Sequence, residues 1–207
     1  MQCEHCGLVN RIRAAINALH IYAPPKPDSQ IYITERVTKT YHWFAARYQR
    51  LQGSEYFGSS YHPGASVDGI RHEDLMYLSF PDSSFDRVLS FDVLEHVSDP
   101  YRAFRELFRV LNPGGVLIFT VPFSSQSQVD IVRASLSEDC TIVHHLPPEY
   151  HGNPLDPEGG ALAFRYFGWE MMSRLRDIGF KNVRCLAYWS EQQGYLGREQ
   201  TLFIATK

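Results

Sequence analysis

The side chains best placed to do chemistry fall into two groups. Asp92, Glu95 and His96 follow the apolar run Phe85–Phe91. His144, His145, Glu149, Tyr150 and His151 crowd a short stretch stiffened by Pro147 and Pro148. Carboxylates beside imidazoles suit proton transfer, because a histidine titrates near neutrality and an adjacent carboxylate orients and charges it. Tyr150 and His151 are the candidates for orienting or deprotonating an acceptor hydroxyl, with His96 the candidate from the first group. Plainer roles are open to the same residues: acids at a helix start interact with the helix dipole, and a polar loop must satisfy its own backbone groups. Three histidines in the second group suggest a metal site, but the prolines interrupt regular ligand spacing. Cys3-x-x-Cys6-Gly7 is half of a zinc-ribbon spacing. A structural zinc needs about four ligands, and no second C-x-x-C follows, so Cys3 and Cys6 read as an unpaired knuckle or half a zinc site.

The elements that must position these residues are legible from periodicity. Leu8–Tyr22 has apolar residues at helical spacing, and Pro24, Pro25 and Pro27 end it in a stiff linker. Short strands are predicted at Ile31–Ile33 and Leu51–Tyr56, with a helix over Thr38–Tyr48 between them. Ile70–Asp74 reads as a third strand or an extended segment, Phe85–Phe91 as a fourth strand and Val116–Val121 as a fifth. The helix Tyr101–Leu111 carries an apolar stripe of Phe104, Leu107, Phe108 and Leu111, and Asn112-Pro-Gly-Gly closes it. Ser124–Gly160 is too long and polar for a plain connection, so it reads as a lid or substrate segment. A helix over Phe167–Ile178 and strands at Val183–Trp189 and Thr201–Ala205 complete the chain. Alternating strands and helices predict an α/β, Rossmann-like, doubly wound and mostly parallel sheet. The last two strands have no helix between them, so they should form an antiparallel C-terminal hairpin. Residues 1–29 form an N-terminal knuckle, helix and linker, and residues 30–207 the main domain.

The chain has 207 residues and a formal net charge of −3. That length suits one domain with a buried core. The charge leaves no electrostatic footprint for nucleic acid. No run approaches the ~20 apolar residues of a membrane span, no signal peptide opens the chain, and four cysteines imply no disulfide framework. A soluble, cytoplasmic protein is expected; a homodimer stays open.

The segment FPDSSFDRVLSFDVLEHVSDPYRAFRELFRVLNPGGVLIFTVPF, Phe80–Phe123, together with the closing hairpin, resembles the class I S-adenosylmethionine-dependent methyltransferases, most nearly the type 11 group. The resemblance implies S-adenosylmethionine as cofactor and a small-molecule or glycan-like acceptor. It places Glu55, with Tyr56 beside it, at the ribose hydroxyls, Asp74 and Leu75 at the adenine, and Phe91, Asp92, Val93 and Leu94 near the methionine portion. One stretch departs from the family pattern. Where the family has a glycine-rich loop after its first strand, this chain has Thr34-Glu35-Arg36-Val37-Thr38, without a glycine. Thr34 and Glu35 would replace the loop's usual contacts, and Arg36 and Val37 add bulk where bare backbone is expected. The alternative is therefore a methyltransferase-like binding or assembly module without catalysis, which would show Arg36 or Tyr41 filling the cleft. A nicotinamide dehydrogenase is a weaker reading, since it too needs a glycine fingerprint.

Overall fold

The computed structural model describes residues 2–207. In chain order the elements are α1 (Asn10–Tyr22), β1 (Ile31–Ile33), α2 (Lys39–Ala45), β2 (Leu51–Gly53), β3 (Ser66–Val67), β4 (Ile70–Arg71) and β5 (Phe85–Phe91). A single 3₁₀ turn, Leu94–His96, then leads to α3 (Pro100–Val110) and β6 (Leu111–Thr120). Five short strands follow: β7 (Ile131–Val132), β8 (Ala134–Leu136), β9 (Ile142–His144), β10 (Tyr150–Asn153) and β11 (Asp156–Leu162). The chain closes with β12 (Arg165–Tyr166), α4 (Glu170–Ile178), β13 (Lys181–Ser190) and β14 (Tyr195–Thr206).

Six strands form the central sheet in the order β13-β14-β6-β5-β1-β2. The four from β6 to β2 run parallel, and β14 and β13 add an antiparallel hairpin at the other edge. Side chains alternate between two cores, as the two-residue strand period requires. Tyr32, Val88, Leu117, Phe119 and Phe203 pack with α3 and α4 on one face. Ile31, Ile33, Leu89, Ile118 and Ile204 pack with α1 and α2 on the other. The N-terminal segment is thus part of the sheet's cover: Leu8, Ile12, Ala15, Ile16 and Leu19 are buried in that second core.

Two elements differ from the sequence expectation, and a third takes a form that the sequence left open. The strand expected at Ile70–Asp74 does not run along the sheet. Its first residues pair with Ser66–Val67, and it meets the end of β2 through one parallel bridge between Glu55 and His72. Asn112-Pro-Gly-Gly does not separate helix from strand. Phe85 pairs with Leu111 and Arg87 with Val116, so residues 112–115 bulge out of a continuous β6, Gly114 taking φ +76°. The Ser124–Gly160 segment folds into hairpins, β8 with β9 and β10 with β11.

The chain order reverses between β1 and β5, so their carboxyl ends open a crevice, the place where an open α/β sheet takes its ligand. The loop Thr34–Thr38 bounds this crevice without any glycine of its own. The close approach is made possible from the other side. A Cβ at Gly53 would lie 2.5 Å from Tyr41 Cε2 and 2.7 Å from the Glu35 carbonyl oxygen. The glycine that lets backbone meet backbone has moved from the loop to β2. Gly53→Ala is therefore expected to destabilise the fold by about 1–3 kcal/mol, which lowers Tm by roughly 2–4 °C per kcal/mol at this chain length. A thermal melt checks this against Gly152→Ala, whose Cβ would meet nothing within 4 Å; equal Tm values for the two variants would refute the packing argument.

Candidate functional site

Two adjoining cavities open along the carboxyl edge of the sheet. The smaller, about 380 Å³, lies over the β1–β5 crevice and takes its walls from Thr34, Glu35, Glu55, Tyr56, Leu75, Phe91, Asp92 and Val93. These are eight of the ten residues expected at the cofactor. The two exceptions have local reasons. Asp74 turns its carboxylate onto the Met76 N–H (2.8 Å), closing a tight turn, and the cavity takes Glu73 instead. Leu94 is fully buried in the core. The larger cavity, about 790 Å³, is lined by Glu95, His96, His151, Phe123, Trp169, Tyr188 and Thr201, among others. Arg11, Asp92, His96 and Gly152 border both cavities and form the wall they share.

The glycine-free loop is held by the residue expected to bind ribose. Arg36 and Val37 donate their backbone N–H groups to Glu55 Oε1 at 2.6 and 2.9 Å. Among the described residues nothing donates to Glu55 Oε2, which leaves that oxygen for a ligand. Arg36 stacks its guanidinium over Tyr41, 4.2 Å from the ring centroid. Neither Arg36, Val37 nor Tyr41 lines the cleft, so the crowding that a non-catalytic module would show is not there.

Glu35 is buried, and its Oε1 has no hydrogen-bond partner. The Thr38 hydroxyl donates to Oε2 while accepting from the Tyr41 N–H as the cap of α2. Burial pushes the Glu35 carboxyl up to about 7; the Thr38 hydroxyl opposes this, and the charges of Glu55 and Asp92 add to it. Asp92 sits at φ +52°, a left-handed conformation uncommon outside glycine. It is held there by its own N–H on the Thr120 carbonyl, by the Thr120 hydroxyl and by an ion pair with Arg11. Of the four carboxylates that line the smaller cavity, Arg71 pairs with Glu73 and Arg11 with Asp92, so Glu35 and Glu55 are left without a cationic partner. That balance favours a cationic ligand. Arg11 was not foreseen as a site residue, because its helix reads in the sequence only as a cover; tertiary packing carries it across the cleft.

On the other side of the shared wall stand Glu95, His96 and His151. Glu95 is fully buried, and neither carboxylate oxygen has a hydrogen-bond partner. Its Oε1 lies 3.7 Å from His96 Nε2 and 3.5 Å from His151 Nδ1. The two imidazoles meet edge to face, centroids 4.9 Å apart. Facing Glu95, and more weakly Glu149, raises the His151 pKa from its ordinary value against the effect of burial. The β10–β11 hairpin brings His151 here and also roofs the smaller cavity with Asn153, Pro154 and Leu155. The Phe164 N–H, just past that hairpin, donates to the Glu95 carbonyl at 2.8 Å. Tyr150, expected to act beside His151, is 57% exposed and lines neither cavity; strand alternation turns the two side chains apart. His144 and His145 belong to the segment at β8 and β9, where His145 pairs with the Ser135 hydroxyl at 2.8 Å. Cys3 and Cys6 are free thiols beside α1, and no helix among the described residues is long and apolar enough to cross a membrane.

A sequence profile described as a methyltransferase domain matches residues 42–119. A probable S-adenosylmethionine-dependent methyltransferase of Mycolicibacterium smegmatis is 47% identical over 53 residues, which are 26% of this chain and 21% of that protein. An uncharacterised methyltransferase of Mycobacterium sp. (strain KMS) is 42% identical over 90 residues, 38% of this chain and 35% of the relative. The chain thus matches about a fifth to a third of the length of these relatives. Among solved structures, an S-adenosylmethionine-dependent methyltransferase from Mesorhizobium loti superposes with a TM-score of 0.59 at 17% identity, covering 94% of this chain and 98% of that one. The 1,6-didemethyltoxoflavin-N1-methyltransferase of Burkholderia thailandensis, solved with 1,6-didemethyltoxoflavin and S-adenosylhomocysteine, gives 0.56 at 15% identity, covering 95% and 77%. The fold is that of the class I methyltransferases.

The raised Glu35 pKa has a consequence for stability. Between the ordinary glutamate value of 4.5 and the folded value of about 7, the folded chain binds more protons at this site than the unfolded chain does. The free protein should therefore lose stability as pH rises through that window, by about 3 kcal/mol in total. Glu35→Gln should flatten this slope, as urea unfolding at pH 5 and pH 7.5 will show; an unchanged difference between the two pH values would exclude Glu35 as its source.

Proposed function

We propose that this chain, a member of the class I S-adenosylmethionine-dependent methyltransferase family, transfers a methyl group to a small-molecule acceptor held in the larger cavity. The observation that carries the reading is the pair of cavities sharing one wall at Asp92 and His96. S-adenosylmethionine, when bound, supplies an electrophilic methyl group: the acceptor atom bonds to the methyl carbon as the carbon–sulfur bond breaks, its electron pair remaining on sulfur.

The chain's residues divide the remaining work. Glu35, with its unpartnered Oε1, would hold the ammonium of the methionine portion, and Arg11 its carboxylate. Glu55 would offer Oε2 to a ribose hydroxyl, with Leu75 against the base. Asp92, held in its left-handed conformation, borders both cavities and would fix the junction across which donor and acceptor must meet. Transfer of this kind depends chiefly on positioning. Phe123, Trp169 and Tyr188 beside Ser125, Gln200 and Thr201 give aromatic faces and hydrogen-bonding groups suited to a polar ring, a glycan-like acceptor included. His96 and His151 line the same cavity and would orient an acceptor hydroxyl.

Isothermal titration with S-adenosylhomocysteine should show one site per chain. Removing the Glu35 charge by Glu35→Gln should weaken binding by roughly 10- to 100-fold, the scale of one charge-assisted hydrogen bond. Affinity should rise with pH through about 7 as Glu35 ionises, and this dependence should vanish in Glu35→Gln. Folded protein that gives no heat with the ligand at pH 8 would overturn the assignment.

A further inference from the structure

We propose that Glu95, His96 and His151 form a site for one divalent transition-metal ion of the zinc class, opening on the acceptor cavity.

Outer hydrogen bonds orient both imidazoles toward Glu95. His96 Nδ1 lies 2.8 Å from the Leu162 carbonyl oxygen. A carbonyl only accepts, so Nδ1 carries the proton and Nε2 presents a lone pair. His151 Nε2 faces Glu149 Oε1 at 3.3 Å, an outer acceptor that orients the ring and turns Nδ1 toward Glu95. Glu149 is itself held by the Tyr166 hydroxyl and by Arg133, 3.2 Å from Oε2. Glu95 adds two oxygens that no group among the described residues satisfies, on a side chain with no exposure. Three potential ligand atoms, His96 Nε2, His151 Nδ1 and a Glu95 oxygen, therefore converge. Glu95 is the buried member of the set, and a buried carboxylate without a partner destabilises a fold unless a cation joins it. A proton added to one imidazole would bridge a single pair; a metal ion reaches all three.

The Glu95 oxygen stands 3.7 and 3.5 Å from the two facing nitrogens. Both separations exceed an ordinary hydrogen bond. They match the ligand–ligand edge of a tetrahedral site, about 3.4 Å for bonds near 2.1 Å. All three ligand atoms lie within 4.8 Å of one another. Each imidazole has its outer nitrogen on an oxygen acceptor, the arrangement that orients histidine ligands in metal sites. Two nitrogens and one carboxylate select zinc and its first-row neighbours over magnesium or calcium, which prefer all-oxygen shells.

Such an ion would turn its open position to the cavity that also holds Trp169 and Tyr188, where it would bind an acceptor oxygen and lower that oxygen's pKa. This use rests on the methyl-transfer reading; the binding of the ion does not. The test uses the full chain carrying Cys3→Ser and Cys6→Ser, so that the N-terminal thiols capture no metal. After chelator treatment it is titrated with cobalt(II) alone and followed by visible absorption and by metal content. One ion per chain with a ligand-field band is expected. His151→Ala, on the surface hairpin, should abolish the band or weaken binding beyond the ~10- to 100-fold that losing an outer partner costs, and Glu149→Gln should fall within that range. No saturable binding, or binding unchanged in His151→Ala, would overturn the site. The same samples titrated with S-adenosylhomocysteine separate the two ideas: nucleoside binding without cobalt binding sinks only the metal site, and cobalt binding without nucleoside binding sinks only the methyltransferase reading.

Discussion

The architecture of the cleft depends on how the Thr34–Thr38 loop is seated. Its backbone presses onto β2 at Gly53, where a single added carbon would collide with Tyr41 and the Glu35 carbonyl, and two of its N–H groups hang on one oxygen of Glu55. A loop rich in glycine would bend by its own conformational freedom. This loop is bent by its neighbours, which supply both the space and the hydrogen bonds. The arrangement uses half of a carboxylate that would otherwise face the ligand, and in exchange it draws Arg36 onto Tyr41 and away from the crevice.

A second constraint is the amount of negative charge the fold keeps out of water. Glu35 and Glu95 are buried with unpartnered oxygens on opposite sides of the Asp92–His96 wall. Neither is explained by the packing of the chain, since an unpaired buried carboxylate destabilises a fold. Each makes sense as half of an interaction completed by something bound: a cationic group beside Glu35, a metal ion beside Glu95. The β10–β11 hairpin links the two sides, because it roofs the smaller cavity and delivers His151 to Glu95.

The alternation of strands and helices, the antiparallel closing hairpin and the strand at Phe85–Phe91 were legible in the sequence because each depends on local periodicity and turn chemistry. Asp92 was legible from its place at the carboxyl end of a strand, whereas Thr34, Glu35, Glu55, Tyr56 and Leu75 were reached only through the resemblance to the methyltransferase family. Periodicity could not show that the Ile70–Asp74 segment leaves the sheet for a hairpin with Ser66–Val67, that Tyr150 faces solvent, or that Asp74 folds back on Met76. Each of these turns on a contact with a residue too near or too far in the chain for a pattern to register.

By itself the sequence determined the alternation of strands and helices, the antiparallel closing hairpin and the acidic strand ends, since these follow from side-chain period and turn chemistry. Only the tertiary structure decided that a loop without glycine leaves the cleft open, that Arg11 crosses it from α1, and that Glu95, His96 and His151 converge. The physical reason is that each of these joins residues held on separate elements, Arg11 to Asp92 and His151 to Glu95, and only packing fixes the distance between separate elements.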